Sequence, residues 1–412
     1  MFLRLLSLGG KLALSLFMGA FFSLAELGVY GLAFGAVMLA VVLFGFRIDY
    51  TVSREIAGMP PERQRDVGMQ VIALFLITFV LAALPGIAIL MYFGLPGGIG
   101  LALLIYALCC VEAFANYLYT VTISLKRPAF ANGMFFIRSG LWPIPVMIAA
   151  FFVPELRNVA FVLGAWLAGV SISVVLNLVF MRDTMLRRPA GSHLRMADVG
   201  RFCRSTAMIW IGSVAVAMGI YLDRFVLARV LSLSDVGVAT FYISFTLAAL
   251  TLVQSATTSV TLPAMIDRYD RGDIAGFRSE VRRTAKLAIT LAVAVMVGLA
   301  AVMLAMGPLL GKPELSAAYP AFLLLLLATL IRTHSETLYY GLFVQRRHRS
   351  IWLGNLVFFG LALVFNFALI PLFGLIGLGL AAVLSTLAIM AIRWLAYRRE
   401  DRPALSENMV KV

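Results

Sequence analysis

Runs of about 20 apolar residues follow one another along the whole chain, separated by short polar segments. A helix of about 20 residues spans the hydrocarbon core of a bilayer and satisfies all of its own backbone hydrogen bonds there. Charged residues make up only 13% of the chain, against about 25% in soluble domains. The sequence therefore predicts an all-α protein that crosses a membrane many times and has no sizeable soluble domain.

About twelve of these runs are long enough to cross a bilayer. Pro143 and Pro145 lie inside the fifth run, where we expect a kink whose open carbonyl groups are satisfied by a neighbour or a cavity. After the eighth run, residues 276–286 have the pattern of an amphipathic helix at the membrane surface. The runs occupy approximately residues 5–24, 29–46, 69–92, 100–123, 130–152, 159–180, 208–231, 238–265, 287–310, 318–343, 351–372 and 376–397.

The basic residues predict the topology. With a cytoplasmic N-terminus, every cytoplasmic loop carries arginine or lysine, whereas the outer turns carry only Arg157 and Lys312. This asymmetry is typical of multi-pass proteins, so we expect an even number of spans and two cytoplasmic termini. The formal charge of +14 then belongs to loops that meet anionic headgroups. Because no basic domain lies clear of the membrane, we expect no nucleic-acid partner.

The cysteines and histidines indicate no metal or redox site. Cys109, Cys110 and Cys203 lack the paired spacing of zinc or disulfide sites, and the three histidines are scattered along the chain. The sequence has no glycine-rich nucleotide-binding loop. We therefore expect no cofactor and no metal, and we do not expect ATP to drive the protein directly.

Two segments with the same pattern divide the chain into related halves. Glu26-Leu-Gly-Val-Tyr-Gly31 and Asp235-Val-Gly-Val-Ala-Thr240 align acid on acid and glycine on glycine, and we expect each to be an outer turn before a long helix. The pattern predicts two parallel six-helix bundles with a substrate site between them. The predicted parts are an N-terminal bundle (1–181), a cytoplasmic linker loop (182–206), a C-terminal bundle (207–397) and a cytoplasmic tail (398–412).

Four short motifs resemble those of a known family. Leu27-Gly-Val-Tyr-Gly31, Ile48-Asp-Tyr-Thr-Val-Ser-Arg54, Leu222-Asp-Arg-Phe-Val-Leu-Ala-Arg229 and Asp235-Val-Gly-Val238 occur in this order, with the expected spans between them. The chain resembles the polysaccharide flippases, the O-antigen and exopolysaccharide unit translocases, of the multidrug/oligosaccharidyl-lipid/polysaccharide (MOP) exporter superfamily. The family often has glycine where Arg47 stands, before the position of Asp49.

The resemblance implies two six-helix bundles around a central cavity that opens to one side of the membrane and then to the other. It implies as cargo an oligosaccharide linked to a lipid diphosphate of the undecaprenyl type. The cargo would cross from the inner to the outer leaflet of a bacterial inner membrane for surface polysaccharide biosynthesis. The resemblance also implies a polysaccharide polymerase as a partner, and a transporter rather than an enzyme.

Ionisable residues inside the apolar runs are the candidate sites, because charge in a membrane helix is costly and is usually paired or functional. A guanidinium group binds phosphate oxygens in a bidentate geometry, so the arginines are candidates for cargo binding. The acids are candidates for coupling or gating. The cargo-binding candidates are Arg138, Arg224, Arg332 and Arg47, and the coupling or gating candidates are Asp223, Glu112, Glu336 and Asp49.

Two of these sets have alternative interpretations inside the bilayer. Arg138 has no acid in its own span, so it either attracts a cargo phosphate or pairs with Glu112 of the adjacent helix. Glu112 is then either a proton carrier or a structural partner. Asp223 and Arg224 form either a pair in the cavity, which senses cargo or a coupling proton, or a structural pair near a membrane face.

The other two sets also have alternative interpretations. Arg332 and Glu336 are one helical turn apart and form either a structural bridge or a gate. Arg47 and Asp49 cluster at a cytoplasmic helix end, where anchoring by snorkelling side chains is the alternative to a functional role.

Two other classes of function remain open. A multidrug antiporter of the same superfamily would carry an organic cation and should have an acidic, aromatic cavity, whereas basic residues exceed acids in these spans. A membrane-embedded glycosyltransferase or polymerase should have a carboxylate motif on a large outer loop, and the outer loops here are all short.

Overall fold

The computed structural model describes residues 2–47, 60–92, 97–182 and 196–398. These residues form helices joined by short turns and contain no β-strand. The helices are α1 (Phe2–Phe21), α2 (Leu24–Gly45), α3 (Pro61–Tyr92), α4 (Gly98–Ser124), α5 (Pro128–Phe152), α6 (Val159–Phe180), α7 (Met196–Val230), α8 (Leu233–Ala256), α9 (Thr258–Asp270), α10 (Ile274–Leu310), α11 (Pro313–Ala317), α12 (Tyr319–Val344) and α13 (His348–Arg398).

The helices account for the predicted spans. Within the described residues, ten helices are long and apolar enough to cross a membrane. The apolar part of α1, Leu6–Phe21, is shorter. Helix α13 contains two spans, because Gly374 interrupts it with φ 57° and ψ −132°. The prediction of an all-α, multi-pass membrane protein is therefore confirmed.

The outer helices expose large apolar side chains on the surface of the bundle. On α3, Val80, Leu81 and Leu84 are 75%, 73% and 83% exposed. Only 6% of the apolar window of α3 is buried, against 56% for α2 and 78% for α8. Because exposed leucine and valine are stable in hydrocarbon, α3 lies at the lipid-facing surface, whereas α2 and α8 lie at the centre of the bundle.

The predicted outer turn at residues 26–31 is wrong, because this segment is the first part of α2. Ser23 and Glu26 form a capping box, in which each side chain accepts a hydrogen bond from the other residue's backbone N–H. Ser232 and Asp235 form the same box at the start of α8. The alignment of acid on acid therefore reflects two equivalent helix starts, and the actual turns, residues 22–23 and 231–232, lie three or four residues before the aligned acids.

Three other predicted boundaries differ from the structure. The surface helix 276–286 is not separate, because no proline or glycine ends the helix there and α10 runs unbroken from residue 274 to 310. The eighth span, predicted at 238–265, breaks at Thr257 between α8 and α9. Helix α7 begins at Met196, inside the predicted linker loop, and residues 183–195 lie outside the described residues.

The fifth span is distorted, as its prolines predict. Residues Ile137–Leu141 form a turn of π-helix immediately before Pro143. A π-bulge re-aims the side chains around it, and here Arg138 lies in the bulge. Gly140 of the same turn packs against Ser7 of α1, where a β-carbon would come within 2.8 Å of the serine. The bulge thereby fixes α5 against α1.

The two halves meet where α2 crosses α8. A β-carbon on Gly28 would lie 2.0 Å from the carbonyl oxygen of Leu233, and a β-carbon on Gly237 would lie 1.8 Å from that of Leu24. The contacts are reciprocal, as expected if the halves are related by a two-fold axis between them. This crossing lies at the end of the bundle with the turns 22–23 and 231–232, which we call the short-turn end. The opposite end is the basic-loop end.

The fourth and tenth spans also repeat, although their sequences do not align by eye. Helices α4 and α12 are each followed by a non-glycine residue with a left-handed backbone, Lys126 at φ 60° and Arg346 at φ 58°. At both ends the N–H groups of this residue and the next donate to carbonyl oxygens three and five residues back. The common spacing places Glu112 of α4 at the position of Arg332 in α12.

Candidate functional site

A central cavity lies between the halves. It has an empty volume of about 810 Å³ and is lined by residues of α1, α2, α7 and α8. The cavity begins next to the glycine crossing, at Tyr30 and Thr240, and follows α8 as far as Thr251. At 1.5 Å of rise per residue this is about 16 Å, half the thickness of the hydrocarbon core. The cavity therefore lies at membrane depth, toward the basic-loop end.

Among the described residues, the charged side chains that line the central cavity are Lys11 and Arg224, and no carboxylate lines it. The remaining lining consists of hydroxyl groups, aromatic rings and aliphatic side chains. Because the interior of a membrane bundle screens charge weakly, two cations without an acid among them attract an anion and repel a cation.

Arg224 reaches the cavity from α7 and is only 2% exposed. Its Nε and Nη1 atoms have no hydrogen-bond partner in the described part of the chain. The nearest carboxylate oxygen is Oδ1 of Asp223, 3.5 Å from Nη1, and the Tyr221 ring lies 5.4 Å from the guanidinium carbon. A buried guanidinium with unsatisfied N–H groups needs an acceptor, so Arg224 is prepared for an anionic ligand.

Arg138 differs in that it hydrogen-bonds an acid, although its Nη1 atom has no hydrogen-bond partner among the described residues. Its Nε atom donates to Oε1 of Glu112 at 3.1 Å, and the side chains are 8% and 1% exposed. Lys11 interacts electrostatically with both residues, and its Nζ atom lies 5.9 Å from the Phe34 ring. Of the two interpretations of Arg138, the structure therefore has the pair with Glu112, and Lys11 is the cation of this cluster that faces the central cavity.

The two sides of the central cavity differ. On one side α7 closes against α2: the indole N–H of Trp210 donates to the carbonyl oxygens of Val42 and Leu43 at 3.0 and 3.2 Å, and the Trp210 ring stacks on Phe46. On the other side, α1 and α8 touch near the short-turn end, where Gly19 packs against Phe241. Toward the basic-loop end the cavity separates these two helices. The side chains of α1 and α8 that line the cavity toward the basic-loop end include Leu8, Leu12, Leu247, Ala248 and Thr251.

A second cavity lies inside the second half. It has an empty volume of about 690 Å³ and is lined by residues of α7, α8, α12 and α13. Its charged residues are Asp223 and Arg332, and Leu247 lines both this cavity and the central one. The adjacent residues Asp223 and Arg224 thus open onto different cavities, because successive side chains of a helix point in different directions.

Glu336 has a closer partner than the one predicted. Arg332 approaches its Oε1 atom only to 4.0 Å, whereas Nη1 of Arg393, on α13, lies 3.1 Å from the same oxygen. Arg393 is 4% exposed and also donates to Ser335. Glu336 therefore joins α12 to α13, which leaves Arg332 to face the second cavity.

The last predicted cluster lies apart from both cavities. Arg47 lines a smaller space of about 360 Å³ with Asn116 and Tyr117, inside the first half. Asp49 lies outside the described residues. Among those that are described, no group of three or more histidine, cysteine, aspartate or glutamate side chains is arranged to hold a metal ion.

Sequence reasoning missed Lys11 and Arg393 as site residues. Lys11 interrupts the first apolar run, and Arg393 is the one arginine in the apolar part of the last run. Both positions follow the same rule that selected the other candidates. Their partners, however, come from other helices and are far away in the sequence.

Two pseudo-equivalent helical halves around a cationic cavity at membrane depth resemble the repeat architecture that is common among secondary transporters. No protein-family model and no curated protein matches the chain. Solved structures do match. An inward-facing multidrug resistance MATE family transporter of the MOP superfamily has a TM-score of 0.70 at 15% identity, over 95% of this chain and 94% of that chain. The lipid II flippase MurJ in its inward closed conformation has a TM-score of 0.74 at 13% identity, over 96% and 86%.

An outward-facing MATE family transporter matches with a TM-score of 0.61 at 16% identity, over 95% of this chain and 91% of that chain. At these identities the similarity establishes the fold. The chain has the fold of the MATE transporters and MurJ. This confirms the predicted fold class, an all-α membrane protein with two related six-helix bundles in a MOP-like arrangement. The three solved structures named here are two transporters and a flippase.

Proposed function

We propose that this protein is a flippase that moves an oligosaccharide linked to a lipid diphosphate across a bacterial inner membrane, by alternating access, for surface polysaccharide biosynthesis. The observation that carries the proposal is the buried guanidinium of Arg224, whose Nε and Nη1 atoms have no hydrogen-bond partner within the described residues. A diphosphate supplies the acceptors that this group lacks. The matching MurJ is itself a lipid II flippase.

The route of the cargo follows from the shape of the central cavity. The diphosphate binds between Lys11 and Arg224, while the lipid tail passes through the gap between α1 and α8, which is lined by leucines. The opposite side is unsuitable for a tail, because Trp210 and Phe46 close it. The tail thus stays in hydrocarbon while the charged head crosses inside the protein.

Two observations support an assignment of the state and the orientation. The halves touch at the short-turn end through the Gly28–Gly237 crossing, and the TM-score is higher for the inward-facing than for the outward-facing MATE structure, 0.70 against 0.61. With the arginine-rich loops in the cytoplasm, both termini are cytoplasmic and the cavity awaits cargo from the inner leaflet. The moving bodies are residues 1–181 and 207–397, and a polysaccharide polymerase takes the product on the outer side.

Deleting the gene in its native host tests the proposal. We expect a lipid-linked oligosaccharide to accumulate on the cytoplasmic leaflet and surface polysaccharide to be lost, and mass spectrometry of the lipid then identifies the cargo. The wild-type gene should restore both, and the Arg224→Ala variant, at an equal protein level, should restore neither. Normal surface polysaccharide in the deletion strain would refute the proposal.

A multidrug cation antiporter is the second candidate, and one observation favours it. Asp223 places a carboxylate in the second cavity, and the fold matches MATE transporters along almost the whole chain. Against it, Arg332 lines the same cavity, and no acid in the described part of the chain lines the central cavity. If the deletion strain gains sensitivity to cationic dyes and accumulates no lipid-linked sugar, the antiporter is the correct function.

A further inference from the structure

The second cavity has the lining of a binding site for a polar ligand. Asn366 of α13 lines it, is 5% exposed, and its amide makes no hydrogen bond within the described residues. A buried amide without a partner costs free energy unless a ligand or water supplies one. Four side chains with hydroxyl groups line the same space: Thr246, Thr329, Ser385 and Thr386.

The charges of this cavity balance. Asp223 and Arg332 are its charged lining residues, and the carboxylate of Asp223 also lies 3.5 Å from Nη1 of Arg224. A cation at Asp223 is opposed by both arginines, and an anion at Arg332 is opposed by Asp223. A neutral ligand with many hydrogen-bonding groups fits this lining better than an ion.

A sugar has the chemistry that the lining requires. Sugar hydroxyls both donate and accept, so they can satisfy an amide, a guanidinium, a carboxylate and neighbouring hydroxyls at once. The Phe358 ring offers an apolar surface to the C–H face of a sugar ring.

The position of the cavity suits the same cargo. In a lipid-diphosphate-linked oligosaccharide the first sugar is bonded directly to the diphosphate. Here Arg224, which faces the central cavity, and Asp223, which faces the second one, are consecutive residues, and Leu247 lines both spaces. A phosphate held by Arg224 therefore has its attached sugar next to Asp223 and Leu247, where the two spaces adjoin.

We propose that the cavity lined by Asp223, Arg332, Asn366 and Phe358 is the sugar subsite of the transporter, in which the neutral saccharide adjoining the diphosphate binds while Arg224 holds the phosphate. The assignment rests on the proposed flippase function and adds to it the place where the glycan is recognised. Selectivity among glycans then lies in the second half of the protein, apart from the cationic groups that hold every diphosphate lipid alike.

Binding of defined lipids to the full-length protein in nanodiscs tests this. The probes are polyprenyl diphosphate without sugar and the same lipid bearing one hexose or one N-acetylhexosamine. We expect the wild type to bind at least one sugar-bearing lipid about tenfold more tightly than the bare lipid, from one or two additional hydrogen bonds. Asn366→Leu should lose this preference and retain wild-type affinity for the bare diphosphate.

Asn355→Leu is the matched control, because Asn355 is a buried asparagine of the same helix with an unsatisfied amide oxygen and does not line the cavity. It should keep the preference. An unchanged preference in Asn366→Leu, or equal binding of all three lipids by the wild type, overturns the sugar subsite and leaves the flippase proposal intact. Failure to bind any of the lipids instead refutes the flippase proposal. Sodium-dependent thermal stabilisation that Asn366→Leu abolishes would assign the cavity to a cation and also overturn the sugar subsite.

Discussion

Replacing Arg138 with alanine separates two roles for this residue, direct contact with cargo and neutralisation of Glu112. The Arg138–Glu112 pair is buried, with side chains 8% and 1% exposed and a separation of 3.1 Å. Removing the arginine leaves the carboxylate at 1% exposure with Lys11 as its remaining cationic neighbour. Lys11 then pairs with Glu112, and the central cavity loses one of its two positive charges.

The magnitude follows from the burial of the pair. Breaking a buried ion pair by removing one partner costs about 3–5 kcal/mol, whereas replacing both partners by apolar residues is often neutral. Because Lys11 compensates in part, we expect the lower end, about 3 kcal/mol, for Arg138→Ala. The double variant Glu112→Ala/Arg138→Ala should recover most of this loss, because no buried carboxylate remains.

The assay combines thermal stability of the purified protein with restoration of surface polysaccharide in the deletion strain. We expect Arg138→Ala to unfold at a lower temperature and to restore little polysaccharide at equal protein level. The double variant should recover both, since Lys11 again faces the cavity without a competing acid. If the double variant is stable but as inactive as the single one, Arg138 contacts the cargo itself and the positioning role is refuted.

Three further variants test the cavity and the contacts between the halves. Arg224→Lys keeps the charge but loses the bidentate geometry, so the affinity for polyprenyl diphosphate should fall about tenfold in a nanodisc binding assay; unchanged affinity would exclude a phosphate contact. Gly237→Ala should lower the thermal unfolding temperature and abolish transport, because its β-carbon would lie 1.8 Å from the carbonyl oxygen of Leu24; Gly298→Ala, with nothing within 4 Å, is the control and should match the wild type. Trp210→Phe keeps a ring against Phe46 but removes two hydrogen bonds to α2, so thermal denaturation should show a loss of about 1–2 kcal/mol in the free energy of unfolding. An unchanged free energy of unfolding would show that these bonds do not hold α7 against α2.

The membrane-spanning character and most of the helices could be predicted from the sequence, because each apolar run carries its own signal. Helix α6, predicted at 159–180, has the same bounds in the structure. The starts of α2 and α8 were mispredicted, although their Ser-x-x-acid capping boxes are visible in the sequence. The continuity of α10 was missed because its amphipathic start and its apolar remainder look like different elements.

The candidate site was predictable only in part. The rule that charge inside a membrane span is paired or functional selects the right class of residue, and it selected Arg224, Asp223 and Arg332. It could not tell which of them face a cavity, because that depends on which helices are neighbours. The roles of all the predicted site residues stay predictions.

The sequence by itself determined that this chain lies in a membrane as two related sets of helices with charges buried among them, because hydropathy and charge are local properties of each segment. Only the tertiary structure decided which charges neutralise each other. Glu112 is paired by Arg138 and Glu336 by Arg393 because α4 lies against α5 and α12 against α13. Two buried nitrogen atoms of Arg224 have no hydrogen-bond partner among the described residues, because the halves enclose a cavity in front of this side chain.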